Sequence, residues 1–103
     1  MKLKGKNLEQ ITLFAKAMGH PTRMEILTFL LEQEACYFGD IHEVFPNAKA
    51  TISQHLKELK NVGLIQGEIE GPKVKYCINK DNWTLAKQLF NELFSTPVKS
   101  NCC

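Results

Sequence analysis

The sequence predicts a mainly α-helical single domain carrying one β-hairpin, in the order H-H-H-H-E-E-H. Three observations carry the prediction. Apolar residues recur at helical spacing in segments before and after the middle of the chain. Between Leu64 and Ile78 the pattern tends instead towards alternation. The chain has 103 residues, 44% of them hydrophobic, which allows one core and no more. The domain is read as residues 1–103, with loose ends at 1–6 and 95–103.

Leu8, Ile11, Phe14, Ala15 and Met18 define a first amphipathic helix over about residues 7–18. Gly19-His20 interrupts it, and Pro21 suits the first turn of the next helix, where its missing N–H costs nothing. That second helix carries Met24, Ile26, Leu27, Phe29, Leu30 and Leu31, so it is apolar over most of its circumference and is expected at the buried centre. A short helix is expected over 38–44, followed by a turn at Pro46-Asn47.

The next helix spans about 48–61, with Ile52, Leu56 and Leu59 in one narrow apolar stripe and Gly63 placed to cap its end. Residues 64–70 and 73–78 form the hairpin around Gly71-Pro72. Asn79 or Asp81 is placed to cap a last helix bearing Trp83, Leu85, Ala86, Leu89, Phe90, Leu93 and Phe94.

Net charge is +2, but unevenly spread. Lys2, Lys4 and Lys6 load the N-terminus; Glu32, Glu34, Asp40 and Glu43 make the second quarter acidic; Lys49, Lys57, Lys60, Lys73 and Lys75 make the third mostly basic. A local basic surface is what nucleic-acid binding requires, although a solvated face has the same composition. No apolar run approaches the roughly 20 residues that span a bilayer, and the N-terminus lacks a signal-peptide core. The chain therefore reads as cytoplasmic, without a membrane partner, its four cysteines being reduced thiols.

A short helix, a tight turn and a helix with a polar outer face describe a helix-turn-helix, whose second helix enters the major groove. Ala50, Ser53, Gln54, Lys57 and Asn61 occupy that outer face, with Thr51 and Glu58 at its edge. Serine and threonine bond several bases, glutamine pairs bidentately with adenine, and lysine attracts phosphate. The following hairpin is then a wing, with Lys73 and Lys75 near neighbouring phosphates.

Two segments extend this to a family. Ala17-Met18-Gly19-His20-Pro21-Thr22-Arg23, opening the second helix, and Ala50-Thr51-Ile52-Ser53-Gln54-His55-Leu56-Lys57, followed by Gly63-Leu64-Ile65, resemble the signatures of the ArsR family of winged helix-turn-helix regulators. The resemblance covers about residues 8–94. It implies that Lys49, Ala50, Ser53 and Gln54 face double-stranded DNA, with Thr51, His55 and Lys57 beside them. His55 also lies close to the apolar stripe, which suits a packing residue equally. Arg23, the only arginine, is expected to pin the second helix to an acidic neighbour or to touch DNA; His20 organises the turn, and His42 reads as a solvated surface residue.

The resemblance also implies a homodimer built from the first and last helices, here through Leu8, Ile11, Phe14, Trp83, Leu89, Phe90 and Phe94, reading a pseudo-palindromic operator as a repressor.

Relatives that sense arsenic or cadmium use Cys-x-Cys in the short helix, but here Cys36 is followed at the second position by Phe38. Zinc-type sites need histidines in the last helix, which has none. Cys36, Cys102 and Cys103 remain as a candidate three-thiolate site for As(III) or another thiophilic ion. The alternatives are that Cys36 and Cys77 are small buried hydrophobes, or that the thiols form a redox switch.

An enzyme is disfavoured, because there is no phosphate-cradling glycine loop, nucleophile elbow or HExxH motif. A protein-binding winged helix would carry larger apolar residues on the face of Ser53 and Gln54.

Overall fold

The computed structural model describes residues 3–34, 36–70 and 73–99. Helix α1 spans Gly5–Met18, beginning slightly before the expected start, and buries Ile11, Phe14 and Ala17. Helix α2 spans Pro21–Leu31, with Pro21 in its first turn. His20 caps it: the ring Nδ1 accepts the Thr22 backbone N–H at 3.1 Å. Ile26, Leu27 and Leu30 are buried, but Met24 and Leu31 keep 44% and 47% of their surface exposed. This helix is thus central on one side only, unlike the all-round burial its composition suggests.

The expected helix over 38–44 is reduced to a single 3-10 turn, Ile41–Glu43, and an unexpected strand β1, Cys36–Tyr37, precedes it. Asp40 caps this turn by accepting the His42 N–H at 3.0 Å, and Ile41 anchors it in the core. The preceding residues are drawn into extended backbone because Cys36 and Tyr37 pair antiparallel with Cys77 and Tyr76. That pairing partner lies far along the chain, so local periodicity does not reveal it.

Helix α3 spans Lys49–Asn61. Its end is closed by glycine at φ +83°: the Gly63 N–H reaches the Lys60 carbonyl and the Leu64 N–H reaches that of Leu59. This pair of hydrogen bonds satisfies carbonyls the helix leaves open and needs the left-handed backbone that glycine supplies. Strands β2 (Ile65–Glu70) and β3 (Lys73–Ile78) form the hairpin, in a sheet of order β1-β3-β2. Helix α4 spans Lys80–Ser95, and of the two candidate caps it is Asn79 whose side chain accepts the Asn82 N–H at 3.1 Å.

One core joins every helix to β2. Phe14, Ile26, Leu27, Leu30, Ile52, Leu59, Leu64, Ile65 and Leu89 are the large side chains with almost no exposed surface. Truncating such a residue to alanine costs about 2–5 kcal/mol, so this cluster fixes how α3 is presented. Among the described residues, no helix is long and apolar enough to cross a membrane.

Candidate nucleic-acid interface

The amphipathic pattern of α3 is resolved into two faces. Ile52, Leu56 and Leu59 are buried against the core, while Lys49, Ala50, Thr51, Ser53, Gln54 and Lys57 are all exposed. Gln54 donates one amide hydrogen to Glu58 Oε1 at 3.0 Å, one helical turn on. Its second amide hydrogen and its carbonyl stay available, which is the donor–acceptor pair that matches adenine N7 and N6.

His55 does not belong to this face. It is 8% exposed, and its Nδ1 accepts from Arg23 Nε at 3.1 Å. The His20 ring lies 4.3 Å away, centre to centre. Burial, reinforced by the neighbouring His20 and Arg23, holds the His55 pKa below that of ordinary imidazole. The assignment of His55 to DNA contact is corrected: at its position on the helix the ring turns towards α2 and packs. Arg23, expected to meet a carboxylate or DNA, instead spends its guanidinium on His55 and on the Ala17 carbonyl at 3.3 Å.

His42 is likewise not merely solvated. Its Nδ1 lies 3.1 Å from Asp40 Oδ1, and its Nε2 lies 2.9 Å from Ser53 Oγ. The 3-10 turn is thereby linked to the exposed face of α3. The Asp40 carboxyl is held below its ordinary pKa, first by the His42 backbone N–H and then by the His42 ring. Sequence reasoning missed this link, although Asp40 and His42 at i and i+2 were a visible signal.

On the wing, Lys75 Nζ pairs with Glu68 Oε2 at 3.0 Å and lies 5.4 Å from the centre of the Phe38 ring. Glu68 and Lys75 are direct partners across the two strands, so opposite charges meet on one side of the hairpin. Lys75 was expected to extend to phosphate; here it is drawn back onto its own hairpin. The side chain of Lys73 lies outside the described residues.

The cysteines depart furthest from expectation. Cys36 and Cys77 are joined by a disulfide. The register of β1 against β3 sets the two residues directly opposite each other, at a Cα–Cα distance of 4.4 Å. The expectation of reduced thiols is not met at this pair, and Cys36 has no free thiolate for a three-cysteine site. Cys102 and Cys103 lie outside the described residues. Among the described residues, no group of three or more His, Cys, Asp or Glu is placed to hold a metal ion.

Of the residues expected at a dimer contact, Ile11, Phe14 and Leu89 are buried within the chain's own core. They support the two helices rather than meet a partner. Trp83 and Phe90 are half-buried, while Leu8 and Phe94 are exposed, joined by Leu13 on α1 and Leu93 on α4. Helices α1 and α4 pack on each other, so these exposed apolar residues lie on adjoining elements.

Known proteins share this architecture and sequence. Residues 20–66, running from the cap of α2 into β2, match the family described as bacterial regulatory protein, arsR family. The chain is 37% identical over 76 residues to the transcriptional repressor SdpR of Bacillus subtilis, an alignment covering 68% of this chain and 83% of SdpR. It is 35% identical over 80 residues to the cadmium resistance transcriptional regulatory protein CadC homolog of Staphylococcus aureus, covering 77% of this chain and 63% of that protein. The solved structure of an ArsR-like transcriptional regulator from Rhodococcus sp. RHA1 superposes with a TM-score of 0.71 at 19% identity, covering 88% of this chain and 85% of that one. With the helix-turn-helix, the wing and the polar face of α3 in place, the chain belongs to the arsR family: it is a winged helix-turn-helix, DNA-binding transcriptional regulator and not an enzyme.

Proposed function

We propose that the protein is a homodimeric repressor that reads a pseudo-palindromic duplex by laying α3 in the major groove. The observation that carries this reading is the exposed face of Lys49, Ala50, Thr51, Ser53, Gln54 and Lys57, backed by a buried stripe that fixes its orientation. Small and hydrogen-bonding side chains suit base edges, and the two lysines suit phosphates. The exposed apolar residues of α1 and α4 provide the dimer surface, and a two-fold dimer spaces its half-sites by about one helical turn, roughly 34 Å. Likeness to a named repressor, SdpR, favours repression.

A second reading concerns release from DNA. Likeness to a cadmium-resistance regulator favours a thiophilic ion, but the Cys36–Cys77 disulfide favours a thiol–disulfide input instead. A dithiol reductant would deliver two electrons and two protons, leaving two cysteine thiols and an oxidised reductant. The disulfide ties β1, beside the helix-turn-helix, to β3 of the wing, so reduction would free the wing's anchor.

The test is binding to duplexes selected from a randomised library, in fixed moderate salt, for oxidised protein, reduced protein and reduced protein with arsenite. Specific binding that reduction alters, with Cys36→Ser insensitive, supports both readings. Release of the reduced protein by arsenite, lost in Cys36→Ser, would replace the redox reading by the metalloid one. Absence of any selected sequence would sink DNA reading by α3 and favour a protein partner.

A further inference from the structure

The contacts of His42 carry a consequence for which bases α3 selects. Asp40 Oδ1 receives both the backbone N–H and the ring Nδ1 of His42, at 3.0 and 3.1 Å. An ionised carboxylate only accepts hydrogen bonds, so the ring nitrogen facing it must carry the proton. A neutral imidazole then has Nε2 as an acceptor. With the imidazole neutral, the atom 2.9 Å from Nε2, Ser53 Oγ, donates its hydroxyl hydrogen to His42. A serine hydroxyl has one hydrogen and two lone pairs, so what Ser53 turns outward is acceptor capacity alone.

We propose that Asp40 and His42 are specificity-determining positioning residues: by engaging the Ser53 hydrogen, they make Ser53 an acceptor in the major groove that selects an exocyclic amino group. In that groove the amino donors are adenine N6 and cytosine N4, whereas guanine O6 and N7 and thymine O4 are acceptors. An unrestrained serine serves either kind of edge, and this one is committed. The placement suits the role. Ser53 is exposed in the middle of the polar face of α3, while Asp40 and His42 sit behind it on the 3-10 turn and are only partly exposed. Lys49, in the first turn of α3, adds a positive charge that favours the ionised Asp40.

The inference rests on the DNA-reading role of α3, and one experiment separates the two. Duplexes are selected from a randomised library by the wild type, His42→Ala, Ser53→Ala and the double variant, and single-base changes of the selected site are then compared by competition. The wild type is expected to prefer adenine or cytosine over thymine or guanine at one position per half-site, by roughly three- to tenfold, as a single hydrogen bond allows. Ser53→Ala loses that preference. His42→Ala loses it too while keeping the rest of the site, and the double variant shows no further loss. Misfolding would lower affinity for every duplex alike and would not erase one base preference. An unchanged preference in His42→Ala, a wild-type preference for thymine or guanine there, or a uniform loss in Ser53→Ala overturns the inference alone. Selection of no sequence by the wild type overturns the reading of α3 as well.

Discussion

Arg23 Nε donates to His55 Nδ1 across 3.1 Å, joining the first turn of α2 to the middle of α3. The same guanidinium holds the Ala17 carbonyl at the end of α1, so one side chain ties three helices together. Arg23→Ala would leave the buried His55 Nδ1 without its donor, at a cost of about 1–3 kcal/mol. Urea unfolding should show this loss. Arg23→Ala matching the wild-type midpoint would mean that the bond adds nothing to stability.

The same contact gives stability a pH dependence. The folded His55 has a lowered pKa, chiefly from burial, so the unfolded chain binds more protons in the imidazole range. Stability from neutral His55 is fully present above the unfolded imidazole value of about 6.5 and is lost as pH falls through the folded one. The urea midpoint should therefore fall on acidification below neutrality, and less steeply in His55→Gln. Parallel slopes for the two proteins would remove His55 as the cause.

DNA binding should divide the α3 residues by kind of contact. Gln54→Ala is expected to cost about 1–3 kcal/mol on a selected duplex and little on random DNA. Lys57→Ala should weaken all DNA together and reduce the salt slope by about 0.9. Equal losses of specific and random binding in Gln54→Ala would put that amide on the backbone and not on a base.

Gly63 is the position where α3 turns into the wing, with φ +83°. A Cβ there would stand 2.5 Å from Asn82 Nδ2, which donates to the Gly63 carbonyl at 2.9 Å. Gly63→Ala thus incurs left-handed backbone strain of about 1–2 kcal/mol, together with displacement of that amide. A destabilisation of about 2–3 kcal/mol in urea is expected, the hydrogen bond adding about 1 kcal/mol to the strain. A neutral substitution would show that the junction relaxes freely.

Association should depend on exposed apolar residues and not on the core ones. Phe94, 78% exposed and stacked on Phe90, and Leu13, 50% exposed, can each take a charge without opening the core. Phe94→Glu and Leu13→Glu should sediment as folded single chains where the wild type sediments as a dimer. A wild type that sediments as a single chain, or variants that stay dimeric, would move the interface elsewhere.

By itself the sequence determined what depends on near neighbours. The helical periods, the alternation of the hairpin, Pro21 opening α2, Gly63 closing α3, a cap at Asn79 or Asp81 and the polar face around Ser53 and Gln54 all rest on residues a few positions apart. Tertiary structure decided the rest. Cys36 meets Cys77 across 41 positions, and Arg23 meets His55 across 32. His42 reaches Ser53 only because the 3-10 turn packs on α3. An amphipathic pattern shows that Phe14 and Leu89 lie on apolar faces. Only the packing of α1, α2, α3 and α4 shows that these faces are covered from within the chain, leaving Leu13, Leu93 and Phe94 outside. The physical reason is that the hydrophobic effect is non-directional, so it specifies that a face is buried and leaves its partner to the geometry of the whole fold.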